Sequence, residues 1–128
     1  MTREAMQGLI TRYFAATRAM DLHAWLACFA EDAVSYDPYG APPTQGKDGL
    51  TKFFLSVATS FKEIGFTENL VVITGNRAAV KFTARGIGTN GRSATVEGID
   101  VFEVNDRGII QTMWGYWDPA GMIAQLQS

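Results

Sequence analysis

From Phe66 onward the character of this chain changes from mainly helical spacing to β-branched runs, and that change points to the fold class. Ahead of it, Met6, Leu9, Ile10, Tyr13, Phe14, Thr17 and Met20 recur at helical spacing, with Thr2 placed to cap the helix they form. The core face therefore includes Tyr13. Asp21 is placed to cap a second helix carrying Leu22, Trp25, Leu26 and Phe29 on one side, expected to end near Glu31-Asp32 before a short strand from Ala33 to Asp37. A third helix, about Lys47 to Ser60, presents the stripe Leu50, Phe53, Phe54 and Val57. Beyond Phe66 the runs are β-branched and separated by turn residues: Leu70 to Thr74, Ala78 to Ile87, Ser93 to Val104 and Ile109 to Trp117. Thr89-Asn90-Gly91 and Asn105-Asp106-Arg107-Gly108 read as hairpin turns. Helices first and a strand meander afterwards predict an α+β domain with its helices on one face of an antiparallel sheet. With no repeat, linker or low-complexity segment, residues 1–128 are expected to form one domain.

Composition then removes several functions. A chain of 128 residues, 47% hydrophobic, can bury roughly two thirds of its extended-chain surface, enough for a core and a modest cavity within it. The eleven Lys and Arg are scattered and the net charge is −2, so the basic footprint that nucleic acid requires is missing. Cys28 is the single cysteine, which forbids an intrachain disulfide and suggests a reducing, cytoplasmic setting. The apolar run Ala24 to Ala30 is too short to cross a bilayer, and no export signal is read at the N-terminus, so no membrane partner is expected. His23, the only histidine, sits opposite the apolar stripe of its helix; histidine triads and a catalytic metal site are not expected. Gly86-Ile87-Gly88-Thr89-Asn90-Gly91 spells a dinucleotide fingerprint, but a strand follows it rather than a helix, so it reads as a hairpin.

Two acids stand apart. Asp37, in Tyr36-Asp37-Pro38-Tyr39-Gly40-Ala41-Pro42-Pro43, closes an apolar strand and precedes a proline that restricts its backbone. Asp100 interrupts the apolar run Ile99-Asp100-Val101-Phe102, and alternation puts it with Val96, Gly98, Phe102 and Val104 on the side of its strand free of other charge. Burying a carboxylate there is costly unless it takes up a proton. Acids in such unlike surroundings point to opposite protonation states, the arrangement acid–base chemistry needs. Taken singly, a core tyrosine is more often structural than catalytic, and an aspartate before proline is more often a turn residue. In the last strand, Ile109, Gln111, Met113, Gly115 and Trp117 share one side, with Met113 and Trp117 assigned to a pocket. Trp114 and Tyr116 then face outward beside Ile99 and Val101, an apolar face that predicts a homodimer through the outer side of the sheet.

Together these residues give the chain a near full-length resemblance to the bacterial steroid Δ-isomerases, the ketosteroid isomerases of the NTF2-like, SnoaL-like superfamily. Tyr13, in a Gly8-Leu9 to Arg12-Tyr13 context, matches that family's catalytic tyrosine. Asp37, in Asp37-Pro38-Tyr39-Gly40 and Pro42-Pro43, matches its general base, and Asp100 in Ile99-Asp100-Val101 matches its protonated acid. Ile110-Gln111-Thr112-Met113 and Tyr116-Trp117 are similar to the final strand of one branch. The resemblance implies a cone of three N-terminal helices on a curved mixed or antiparallel sheet around an apolar pocket. It implies a cofactor-free isomerase acting on a 3-oxo-Δ5-steroid or similar apolar ketone, with Phe54, Phe82, Phe102, Met113 and Trp117 as substrate contacts. Phe54 and Phe29 stand where the family carries further tyrosines, so the phenol network beyond Tyr13 is expected to be absent. Because this cup is reused, a cyclase, a dehydratase or a non-catalytic carrier of apolar ligands are the alternatives.

Overall fold

The computed structural model describes residues 1–127, which form four helices and a six-stranded sheet. Helix α1 spans Arg3–Ala19, and Thr2 accepts a hydrogen bond from the Ala5 amide at 3.0 Å, the capping contact its position predicts. Its apolar face, from Met6 to Thr17, is buried as the spacing requires. Asp21 caps α2, accepting from the Ala24 amide at 3.1 Å, but α2 covers only Leu22–Leu26. Strand β1 already begins at Phe29 and runs to Tyr36, so the second helix does not reach Glu31-Asp32. The Ile110 amide donates to the Cys28 carbonyl at 2.8 Å and pulls the chain into the sheet early. Alternation could not place this boundary, because Ala24 to Ala30 is apolar whatever its conformation.

A two-residue strand β2, Thr44–Gln45, leads into α3, Gly46–Ser60, on which Leu50 and Phe54 are buried. Strand β3, Phe61–Thr74, follows directly and is much longer than the expected Leu70 to Thr74; its bulges at Phe61/Glu63 and Glu68/Leu70 break the alternation and bend the strand. Then come β4, Arg77–Gly88, β5, Ser93–Val104, and β6, Ile110–Tyr116, joined by the two expected turns. Helix α4, Pro119–Gln127, was not anticipated; Asp118-Pro119 reads as a strand end, and the helix lacks a charged residue in either terminal turn.

The strand order is β2-β1-β6-β5-β4-β3, an open sheet. It is mixed rather than wholly antiparallel, since β1 runs parallel to β6 while the remaining pairs are antiparallel. That parallel pairing carries β1, and Asp37 just beyond it, to the strand that ends beside Trp117. A register shift between Glu103 and Val104 turns Ile110 inward, against the simple alternation that places it outside with Thr112 and Trp114. The core lies between α1 and the inner face of the sheet, where Phe14, Val80, Phe102, Val104 and Met113 are fully enclosed. No described helix is long and apolar enough to cross a membrane.

Candidate functional site

Asp100 is one of few polar side chains in that interior, 5% exposed, held in β5 between Val80 on β4 and Gly115 on β6. Burial lifts its carboxyl well above the usual carboxylate range, and the negative charge of Asp37 adds to the lift. Asp37 follows β1 with a cis peptide to Pro38, and the Tyr39 amide donates to the Gly115 carbonyl at 2.8 Å, fastening this loop to β6. Trp117 Nε1 donates to Asp37 Oδ1 at 2.7 Å. Burial raises the Asp37 pKa, and the indole hydrogen bond opposes that rise by favouring the anion. Of the two acids, Asp37 is therefore the one that ionises first.

Gly115 sits between them. A Cβ built there would lie 2.6 Å from Asp37 Cγ and 3.2 Å from Asp100 Oδ1, so only glycine lets both carboxyls approach β6. It follows that these two atoms are within about 6 Å, the range in which like charges raise one another's pKa.

Tyr13, also 5% exposed, enters from α1. Phe14 and Phe102 pack edge-on against its ring at 5.0 and 4.9 Å between centroids, and Phe29 does so at 6.0 Å. Its hydroxyl donates to Met113 Sδ at 3.8 Å, a weak acceptor. Burial raises the phenol pKa well above its normal value, the charges of Asp100 and Asp37 add to this, and a hydrogen bond with Trp25 acts the other way. Phe29 and Phe54 offer no phenols; aromatic packing and a thioether replace them, with the Trp25 ring 4.7 Å from Phe29 and 5.3 Å from Phe54.

Tyr13, Asp37 and Asp100 line one cavity of about 120 Å³, whose walls are otherwise almost entirely apolar. Phe54, Phe82 and Trp117 line it. Phe102 and Met113 do not; they form a neighbouring pair across β5 and β6, fully buried behind Tyr13, and support its ring and hydroxyl instead of the cavity wall. Trp25, which sequence could not assign between core and pocket lining, also lines it, and sequence reasoning did not place Ile64, Phe66 or Met122 there. Ile64 and Phe66 alternate along β3, and Met122 shares an i, i+4 face with Leu126 on α4; those were the available signals. Met20 also lines the cavity from the left-handed C-cap of α1, at φ 50°. Among the described residues no three His, Cys, Asp or Glu side chains converge to hold a metal. Burial pushes the Cys28 thiol up, which makes it a poor nucleophile.

An open sheet wrapped by helices around an apolar cup, with acids at its wall, defines the NTF2-like class of α+β folds. Residues 10–112 match the SnoaL-like domain family, and the chain belongs to it. An NTF2-like protein of unknown function from Burkholderia pseudomallei superimposes with a TM-score of 0.85 at 26% identity, over 100% of both chains. SalBIII, an epoxide hydrolase/cyclase-like enzyme with a role in pyran ring formation in polyether salinomycin, superimposes with a TM-score of 0.84 at 22% identity, over 92% of this chain and 94% of its own. RV0760c from Mycobacterium tuberculosis gives 0.82 at 22% identity, over 94% and 96%.

Proposed function

We propose that this protein is a cofactor-free isomerase that moves a double bond into conjugation in an apolar β,γ-unsaturated ketone such as a 3-oxo-Δ5-steroid. The reading rests on one observation: an ionisable acid with a fixed donor, a deeply buried acid and a buried tyrosine share an otherwise apolar cavity. Asp37 removes the proton from the carbon between the carbonyl and the double bond, and the electron pair delocalises onto the ketone oxygen as a dienolate. Tyr13 and protonated Asp100 donate hydrogen bonds to that oxygen, where charge grows during the reaction. Protonated Asp37 then returns the proton to the γ-carbon, and the conjugated enone leaves with the enzyme unchanged. A buried carboxylic acid serving as such a donor is a known solution for ketosteroid isomerases.

The test is direct. A 3-oxo-Δ5-steroid is added and the ultraviolet absorbance of the conjugated enone is followed; turnover no faster than that of Asp37→Asn sinks the proposal. The similarity to SalBIII favours a second reading, in which Asp100 protonates an epoxide oxygen while Asp37 deprotonates the attacking hydroxyl. Conversion of a hydroxy-epoxide with no action on the enone precursor selects that reading instead. We further propose that the protein acts as a homodimer, through the outer sheet face that carries Ile99, Val101, Trp114 and Tyr116.

A further inference from the structure

One wall of the cavity is built differently from the rest. Helices α1 and α3 and the sheet contribute buried core residues, whereas no residue of α4 is buried. Its apolar contact with the fold runs through the half-buried Met122 and Leu126, while Ile123 on its other side is 47% exposed. Met122 lines the cavity, and Leu126 lies against the Gly88 position at the end of β4.

What holds the helix down is polar. Pairing of β5 with β6 begins at Ile99↔Tyr116, so among the described residues Ser93 to Gly98 have no strand on that side. The Gln125 carboxamide stands in for one: its Oε1 accepts from the Thr95 amide at 2.8 Å, and its Nε2 donates to the Thr95 carbonyl at 2.9 Å. From the β4–β5 turn, Asn90 Nδ2 donates to the Leu126 carbonyl at 2.9 Å, satisfying one of the open carbonyls at the helix end. A nine-residue helix is marginal in water on its own. Few buried apolar contacts and solvent-exposed hydrogen bonds mark the segments that open first in a native fold.

We propose that α4 is a hinged gate to the cavity, opening about Asp118-Pro119 to admit a ligand and closing with Met122 against it. Met122 is then the specificity-determining residue that limits the length of ligand the closed cavity accepts. The moving segment begins one residue after Trp117, whose indole holds Asp37, so seating the gate and seating the acid are linked through the backbone. The gate does not depend on which reaction follows, and its test uses binding rather than turnover.

The probe is 2-naphthol, a flat apolar molecule with one hydroxyl, followed by the fluorescence of Trp25 and Trp117, both of which line the cavity. When entry needs an open minor state, association scales with its population, so Gln125→Ala is expected to raise the association and dissociation rate constants together, by about tenfold each. Rate constants that stay at wild-type values make α4 a fixed wall and overturn the proposal. Hydrogen exchange on the unmodified protein tests the same point without a variant or a ligand. The amides of α4 and of Thr95 are expected to exchange together, at least tenfold faster than the β4–β5 ladder. Exchange as slow as that ladder overturns the gate. For length selection, Met122→Ala is expected to shift the affinity ratio toward 4-phenylphenol over 2-naphthol by about tenfold, a usual range for apolar pocket discrimination. An unchanged ratio overturns the assignment of Met122.

Discussion

Asp37 and Asp100 carry the same functional group, and their surroundings separate them. The Trp117 indole donates to one at 2.7 Å, while apolar burial and a neighbouring negative charge bear on the other. Replacing Asp37 by asparagine is expected to lower turnover by roughly 10² to 10⁴, the contribution typical of a general base, in the enone absorbance assay. Trp117→Phe keeps a ring on the cavity wall but removes the donor that opposes the rise in the Asp37 pKa. The acid limb of the kcat/KM profile is then expected to move to higher pH, and a limb that stays in place removes Trp117 from its positioning role. For Asp100 the sign follows from linkage. Its folded-state pKa lies above the unfolded reference of 3.8, so the native state binds more protons, and stability falls as pH rises from about 4 toward the folded value. Asp100→Leu is expected to abolish that decline, raising the unfolding free energy at neutral pH while lowering turnover. Urea denaturation at pH 4.5 and pH 8 measures the first effect, and a variant both less stable at pH 8 and fully active contradicts it.

At the scale of elements, β6 organises the site. It meets β1 in parallel and β5 in antiparallel pairing, and at Gly115 it leaves room for an acid from each side. Gly115→Ala places a methyl group 2.6 Å from Asp37 Cγ. Either the acids or the strand must shift, at a cost of roughly 1 to 3 kcal/mol typical of overpacking, visible as a lower urea midpoint together with a loss of turnover. Elements were legible in proportion to their amphipathicity. Helices α1 and α3 and strand β5 keep a clear period, and β4 keeps one except at the consecutive buried residues Phe82, Thr83 and Ala84, so the pattern identifies them. The α2–β1 junction is apolar throughout, β3 breaks its own alternation with two bulges, and α4 buries nothing, so none of the three carries a clear period.

For the molecule as a whole, the outer face of the sheet carries an exposed apolar patch. Ile99 and Tyr116 are 46% and 44% exposed and paired across β5 and β6, with Val101 and Trp114 beside them. Arg77 covers the Trp114 ring at 5.2 Å and Tyr36 stacks on it at 6.2 Å, so the patch is partly shielded but continuous. If a second copy covers it, sedimentation velocity at micromolar concentration gives a dimer, and Tyr116→Glu, which puts a charge in that face, gives a monomer whose cavity still binds 2-naphthol. A wild-type monomer at that concentration refutes the dimer.

Local pattern alone determined much here: the α+β class, the inward direction of Asp100, the outward direction of Trp114 and Tyr116, and the caps of α1 and α2. Each depends only on a residue's neighbours in the chain, through the periods of helix and strand and the chemistry of caps. Tertiary structure decided what lies across strands and between elements. The parallel β1–β6 pairing brings Asp37 to Trp117, the β5–β6 register sets Gly115 between two acids, and Phe102 and Met113 fall behind Tyr13 rather than onto the cavity wall. Those are contacts between residues distant in the chain, fixed by pairing register and packing, and no one-dimensional period encodes them.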